Sequence, residues 1–389
     1  MYVKRTIREK FDKITNNYNM VAVVGARQAG KTTFLKKQIE NKDSSYILFD
    51  DPDARSLFEE DIKKFEQQFI SNHTISVLDE VQYCNDAGRK LKYLVDSNHN
   101  LWITSSSEII LSKQILSFLV GRVSIIILYP FSLQEFISAK KQKALNKKIL
   151  ERMIWEHATY GGYPKVVLTE DIEIKKTILN DLYNTMILKD VAQTFSIEDI
   201  RSLEEFTKFL AFSIGDMVSY DKIANKLKLS FQTVKKYLDA MEKSYLIYRV
   251  NPYFTNKRKE IVKQPKLYFI DTGLRNSIAR TFNTTLNGKL FENYVLTELI
   301  KMGFQPKYWR TKHKTEVDFI IETDQNTIIP IEVKTQTEIG KIQRSLHTFI
   351  DYYKPKKAII VSFKGEHGKT KINDCEIIYT PILDLKKHL

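Results

Sequence analysis

An α/β fold, opening with a parallel sheet, is predicted for this 389-residue chain by three observations. The small apolar run Val21–Val24 leads into Gly25-Ala26-Arg27-Gln28-Ala29-Gly30-Lys31-Thr32-Thr33, after which a helix runs to Ile39. Apolar strand-like runs recur at Ser45–Phe49, Ile75–Leu78, Asn100–Thr104 and Val123–Leu128, with helical stretches between them. The run at Ile75 ends in Asp79-Glu80, some fifty residues after the glycine loop. Strands alternating with helices, with such a loop after the first strand, read as a doubly wound parallel sheet.

Each part of the first motif has a chemical reason. Gly25 and Gly30 let the backbone curl so that successive N–H groups, from Gly25 through Thr33, point at phosphate oxygens, and the helix N-terminus adds its positive end. Lys31 can reach the outer phosphates and the Thr32 hydroxyl can ligate magnesium. Asp79 is placed to hold the metal and Glu80 to polarise an attacking water. ATP and Mg2+ are therefore the expected cofactors. Ser105 to Ser107 follow the fourth strand, where a hydroxyl, here Ser106, could sense the γ-phosphate; serines there also suit a helix cap. Arg122 could reach a neighbouring subunit's nucleotide, or form a structural salt bridge.

Composition bounds the rest. Hydrophobic residues make up 43% and charged residues 28%, as in globular proteins. No apolar run is long enough to span a membrane, and the N-terminus lacks an apolar signal core, so a cytoplasmic location is expected. Two cysteines, Cys84 and Cys375, give neither metal spacing nor a disulfide framework. The net charge of +14 invites a polyanion, and from Asn251 onward 24 Lys and Arg stand against 15 Asp and Glu.

Beyond the sheet, residues 138–198 read as helical, interrupted at Gly161-Gly162-Tyr163-Pro164. Residues 199–275 carry helices Leu203–Ser213, Tyr220–Leu227 and Phe231–Lys243, then β-like Tyr245–Val250, the pattern of a winged helix-turn-helix. Its third helix would offer Gln232, Thr233, Lys235 and Lys236 to DNA, and the wing would add Lys257 and Arg258; such modules also serve as protein adaptors. Residues 276–389 hold Glu292 on a helix, Asp318 on a strand, and Glu332 with Lys334 on the next. Glu332 and Lys334 share a sheet face because strand side chains alternate. Carboxylates beside a lysine form a magnesium site with a cation for the transition state, the order of a PD-(D/E)XK nuclease core. A surface hairpin of alternating charge is the plainer reading.

The motifs Gly25 to Thr33, Leu78 to Gln82, Thr104 to Ser107, Gly121-Arg122, Gly161 to Pro164, Pro265 to Gly273, Trp309-Arg310, Glu316 to Phe319 and Ile331 to Lys334 occur in one order along nearly the whole chain. In them the chain resembles the prokaryotic AAA+-type ATPases whose C-terminal half is a domain of unknown function. The resemblance implies an AAA+ P-loop ATPase domain (1–137) with a helical lid (138–198), a winged helix (199–275) and a restriction-endonuclease-like α/β domain (276–389). It implies an ATP hydrolase that acts on DNA, duplex or branched, as a homo-oligomer, with a ring suggested by an arginine finger acting in trans. The alternative is a nucleotide-dependent switch or DNA-binding scaffold with an inactive nuclease-like domain.

Overall fold

The computed structural model describes residues 2–106, 116–141, 146–255, 260, 263–282, 285–323 and 327–389. Its first sheet consists of β1 (Met20–Val24), β2 (Ser44–Leu48), β3 (Ile75–Asp79), β4 (Leu101–Ser105) and β5 (Val123–Ile127). They lie in the order β2-β3-β4-β1-β5, every pair parallel. All five residues of β1 are buried, as expected of a central parallel strand covered on both faces. β1 sits between β4 and β5, with Val24 level with Ser105 on one side and Ile127 on the other. The ends of β1, β3 and β4 therefore open onto one crevice, where the strand order reverses.

The N-terminal segment forms a helix over Arg8–Thr15. Arg5 is drawn inward: Nη1 donates to the Ala29 carbonyl at 2.9 Å, and Nε lies 3.1 Å from Glu135 Oε1. Glu135 belongs to the capping box that starts helix Leu133–Lys140 with Ser132. The helix after the glycine loop begins at Lys31, two residues before the predicted start, directly after Gly30 in the left-handed region.

Helices Lys147–Tyr160, Pro164–Leu168 and Ile172–Thr185 follow, then a π-helical turn over Met186–Gln193. Next come helices Ile200–Phe212, Tyr220–Leu227 and Phe231–Lys243, and an antiparallel pair, β6 (Ile247–Val250) and β7 (Lys266–Phe269). The expected boundary between residues 275 and 276 falls inside a buried helix, Thr272–Ala279. Its N-cap Asp271 accepts from Leu274 N at 2.9 Å and from Gly162 N at 2.7 Å. A Cβ on Gly161, whose φ is +78°, would overlap the Asp271 carboxylate, and one on Gly273 would overlap the Tyr160 backbone. The two glycine motifs are thus the two faces of one close backbone contact.

The C-terminal module starts with helix Gly288–Lys301 and three strands, β8 (Lys307–Arg310), β9 (Glu316–Glu322) and β10 (Ile328–Gln336). Helix Arg344–Tyr353, β11 (Lys357–Lys364), β12 (Gly368–Ile372) and β13 (Cys375–Pro381) complete it. The sheet order is β12-β13-β11-β10-β9-β8; β10 runs parallel to β11 and antiparallel to β9. Helix Gly288–Lys301 also holds the first domain: Glu298 accepts from Leu133 N at 2.9 Å, and Lys301 donates to the Phe131 carbonyl at 3.0 Å. Among the described residues no helix is long and apolar enough to cross a membrane.

Candidate functional site

The crevice at the end of β1 is built by one loop and two neighbouring strands. A Cβ on Gly25, at φ +146°, would strike the Leu128 carbonyl, so the turn out of β1 requires glycine. Gln28 also adopts positive φ, and Gly30 enters the helix at φ +100°. Alternating conformations of this kind turn successive N–H groups toward one concavity that suits anions. Lys31 is buried; Nζ donates to the carbonyls of Gly25 at 2.9 Å and Ala26 at 3.2 Å. Burial lowers its pKa, with Glu80, Asp190 and Asp79 working in the opposite direction.

Asp79 is buried at the end of β3 and organises the other half. Thr32 Oγ1 donates to Asp79 Oδ2 at 2.7 Å, Tyr46 OH donates to the same oxygen, and Thr104 Oγ1 donates to Oδ1. A hydroxyl and a carboxylate in contact beside a phosphate loop are the donor set that magnesium takes. Thr32 and Asp79 are therefore the residues that fit the ion. Glu80 takes a left-handed backbone, φ 60° and ψ 48°, its N–H held by Thr104 Oγ1 at 2.9 Å. That conformation is strained for a residue with a Cβ, and such strain clusters at working sites.

Ser106 Oγ accepts from Gln82 Nε2 at 3.3 Å, and Thr104, two residues earlier, touches both Asp79 and the Glu80 backbone. Thr33 is the third residue of the helix. Arg27 turns from the loop to Asp190 on the π-helical turn, with Nε 3.0 Å from Oδ2 and Nη2 2.9 Å from Oδ1. Arg122 is partly exposed and bound to Asp96, Nε to Oδ1, at 2.6 Å, so within one chain it forms the salt bridge; it precedes the start of β5, whereas the loop follows the end of the parallel neighbour β1.

A second cluster forms where β7 meets the C-terminal sheet. One oxygen each from Glu292, Glu316 and Asp318 lies within 4.8 Å of the other two. Magnesium–oxygen bonds of about 2.1 Å place opposite ligands about 4.2 Å apart, so this triad fits a hard cation with small adjustment. Asp318 accepts from Val333 N at 2.8 Å. Burial, followed by the charges of Glu332 and Glu292, raises the Asp318 pKa well above the usual carboxylate range. Glu332 accepts from Ser345 Oγ at 2.9 Å and from Lys334 Nζ at 3.3 Å.

Sequence reasoning found Glu292, Asp318, Glu332 and Lys334, and the fold brings them together. It missed Glu316, Lys266 and Tyr268. Lys266 is 1% exposed, its Nζ 3.2 Å from Glu292 and also paired with Glu316, while Tyr268 OH donates to Glu292. Burial opposes the Lys266 charge, yet Glu292, Glu316 and Asp318 together raise its pKa above the ordinary lysine value. Two-residue spacing links Glu316 to Asp318 and Lys266 to Tyr268, but their convergence is long-range.

The expected DNA-reading residues divide. Gln232, Lys235 and Lys236 are exposed, although Lys236 Nζ donates to the Ser196 carbonyl at 2.9 Å. Thr233 serves the Ser230 cap, N to Oγ, at 3.0 Å. Lys257 and Arg258 lie outside the described residues.

Residues 17–137 match the family model of an AAA domain. Residues 151–285 and 287–383 match two domains of unknown function, DUF8612 and DUF4143. An uncharacterized protein of Haemophilus influenzae is 26% identical over 381 residues, covering 92% of each chain. One of Methanocaldococcus jannaschii is 29% identical over 354 residues, covering 84% of this chain and 79% of the relative. Among solved structures, a Walker-type ATPase of Pyrococcus abyssi aligns at 15% identity and TM-score 0.47, covering 71% of this chain and 96% of that one. A signal transduction ATPase with numerous domains from Pyrococcus horikoshii aligns at 14% identity and TM-score 0.32, covering 78% and 46%. The AAA match falls on the parallel sheet that carries the glycine loop, Asp79 and Glu80, and the N-terminal region is a P-loop ATPase domain of the AAA type.

Proposed function

We propose that this chain is a magnesium-dependent ATP hydrolase that binds and processes DNA through its C-terminal half. The observation that carries the reading is the physical continuity between the phosphate loop and the helix expected to face DNA. The phosphate loop reaches Asp190 through Arg27, and the Asp190 carbonyl accepts from buried Ser244, at the end of helix Phe231–Lys243, at 2.7 Å. A change in the loop therefore bears directly on the helix expected to face DNA, whose exposed surface carries Gln232 and Lys235.

In the ATPase site, Lys31 and the loop N–H groups bind and orient the phosphates, Thr32 and Asp79 would hold Mg2+, and Glu80 would take a proton from the attacking water. The ion supplies charge neutralisation on the phosphates. Arg122 from a second copy would complete the site once freed from Asp96, which makes a homo-oligomer, most simply a ring, part of the proposal. Light scattering with and without a non-hydrolysable nucleotide tests assembly; a strict monomer in both removes it.

In the C-terminal cluster, Asp318, Glu332 and Glu292, joined by Glu316, would hold a second Mg2+, with Lys334 stabilising charge on a phosphate. A second reading is favoured by Lys266, whose ammonium already balances these acids. On that reading the module is a DNA-binding scaffold without cleavage. Wild type, Lys31→Ala and Asp318→Ala, assayed for ATP hydrolysis and cleavage on single-stranded, duplex and branched DNA, separate the two. Cleavage lost in Asp318→Ala supports the enzyme. DNA binding with no cleavage in any form supports the scaffold. Identical ATP turnover with and without every DNA form overturns the coupling of ATP to DNA.

A further inference from the structure

A cleft of about 400 Å³ opens between helix Lys147–Tyr160 and the C-terminal ends of β10 and β11, apart from both sites above. That volume lies within the range of small-ligand sites. Trp155 and Phe363 give it aromatic walls, Lys148, Arg152 and Lys364 give it positive charge, and Gln336 stands at its rim. Phe363 is fixed by packing on Phe291, ring centroids 6.0 Å apart. Lys364 and Gln336 are neighbours, being level across the parallel β10–β11 pair.

Two features of this cleft are unexplained by the fold itself. Among the described residues, Lys148, Arg152 and Lys364 have no carboxylate within ion-pair distance, although Glu151 also lines the cleft. Trp155 Nε1 is buried without a hydrogen-bond acceptor, whereas a buried indole N–H normally finds one. Unpaired cations ask for an anion, and aromatic walls from Trp155 and Phe363 suit a flat ring. A nucleotide meets both demands at once.

We propose that this cleft binds one unpaired nucleotide, its base against Trp155 and Phe363 and its phosphate on Lys148, Arg152 and Lys364. A base can enter such a cleft only when it is out of a duplex stack, so the polymer it selects is single-stranded. Gln336 lies two residues beyond Lys334 on β10, about 7 Å along the strand. A single strand seated here therefore leads toward Lys334 and Glu332. The inference deepens the DNA reading above by naming the form of nucleic acid that the C-terminal half grips.

The test uses the full chain, a short fluorescent single-stranded oligonucleotide, its duplex, and free deoxynucleoside monophosphates, with Trp155→Leu, Arg152→Glu and Lys364→Glu. Arg152 and Lys364 are exposed, so those two variants keep the fold, which thermal melting verifies. Trp155→Leu should weaken single-strand binding about tenfold. Each charge reversal should weaken it at least as much and flatten its salt dependence by about one ion. Duplex affinity and basal ATP hydrolysis stay at wild-type values. Single-strand affinity within about twofold of wild type in all three variants overturns the proposal. If wild type binds no DNA of any form, the DNA reading fails by itself, and the monophosphates decide: binding lost in Arg152→Glu keeps the cleft as a nucleotide site, and no binding ends it.

Discussion

The phosphate-loop site and the C-terminal acid cluster are both built from carboxylates, a lysine and hydroxyls, yet they are assembled in opposite ways. Lys31, Thr32, Asp79, Glu80 and Thr104 all stand at or just after the ends of three adjacent strands of one parallel sheet. Their positions follow once the strands pair. The acid cluster takes Lys266 and Tyr268 from β7, Glu292 from a helix, Glu316 and Asp318 from β9 and Glu332 from β10. No single element carries it, and it forms only when the module with β6 and β7 docks on the C-terminal sheet. The first site is predicted to keep its fold on loss of its lysine and to lose its chemistry. The second is predicted to lose the fold first.

The largest effect expected is on turnover. Lys31→Ala or Glu80→Gln should cut ATP hydrolysis by roughly 100-fold or more, read by phosphate release, with little change in melting temperature. Asp318→Ala should leave basal ATP hydrolysis within about twofold. If Asp318→Ala abolishes it, the two sites are one machine and the contrast is broken.

Lys266→Met sharpens the comparison on the other side. It leaves buried Glu292 and half-buried Glu316 and Asp318 without their cation, at a cost of up to about 3–5 kcal/mol in urea unfolding. Added magnesium should recover part of that loss if the acids can exchange the ammonium for a metal ion. No recovery would assign the cluster a structural role alone.

Gly161→Ala tests the backbone contact between the Gly161-Gly162 turn and the start of helix Thr272–Ala279. Positive φ and overlap with the Asp271 carboxylate predict a loss of about 2–4 kcal/mol. A melting temperature equal to wild type would show that this contact can open freely.

The smallest effect is a pH dependence at the same junction. The Phe131 carbonyl can only accept, so His157 carries its proton on Nε2 (3.0 Å) and accepts from Tyr294 OH at Nδ1 (2.8 Å). Burial, then the charge of Lys301, depresses the His157 pKa well below its ordinary value. The unfolded chain therefore binds one more proton below about pH 6.5, and stability falls as pH drops through that value, by up to about 2 kcal/mol at pH 5. His157→Gln should remove this slope from urea midpoints compared at pH 7.5 and 5.5. An unchanged slope would place the titrating group elsewhere.

The elements of the ATPase domain were legible in the sequence because each is a local pattern. Apolar Val21–Val24, the Gly25 and Gly30 bracket and the strand ending in Asp79 specify themselves over a few residues. The helices Tyr220–Leu227 and Phe231–Lys243 were equally legible, with Ser230 capping the latter. Sequence places Thr104 and Ser106 both at a strand end but does not say that it is the Thr104 hydroxyl that meets Asp79. Glu316, whose place beside Asp318 on one face was readable, could not be tied to Glu292 without the docked sheet.

By itself, then, the sequence determined the parallel sheet, the phosphate loop and the acids at the end of β3, since backbone torsion and strand burial act over short stretches. The tertiary structure alone decided that Gly161 and Gly162 meet Asp271, that Arg27 grips Asp190, and that Lys266 stands among the acids. Those contacts join residues far apart in the chain. Their strength comes from desolvated charge and close backbone approach, which exist only once the modules have packed.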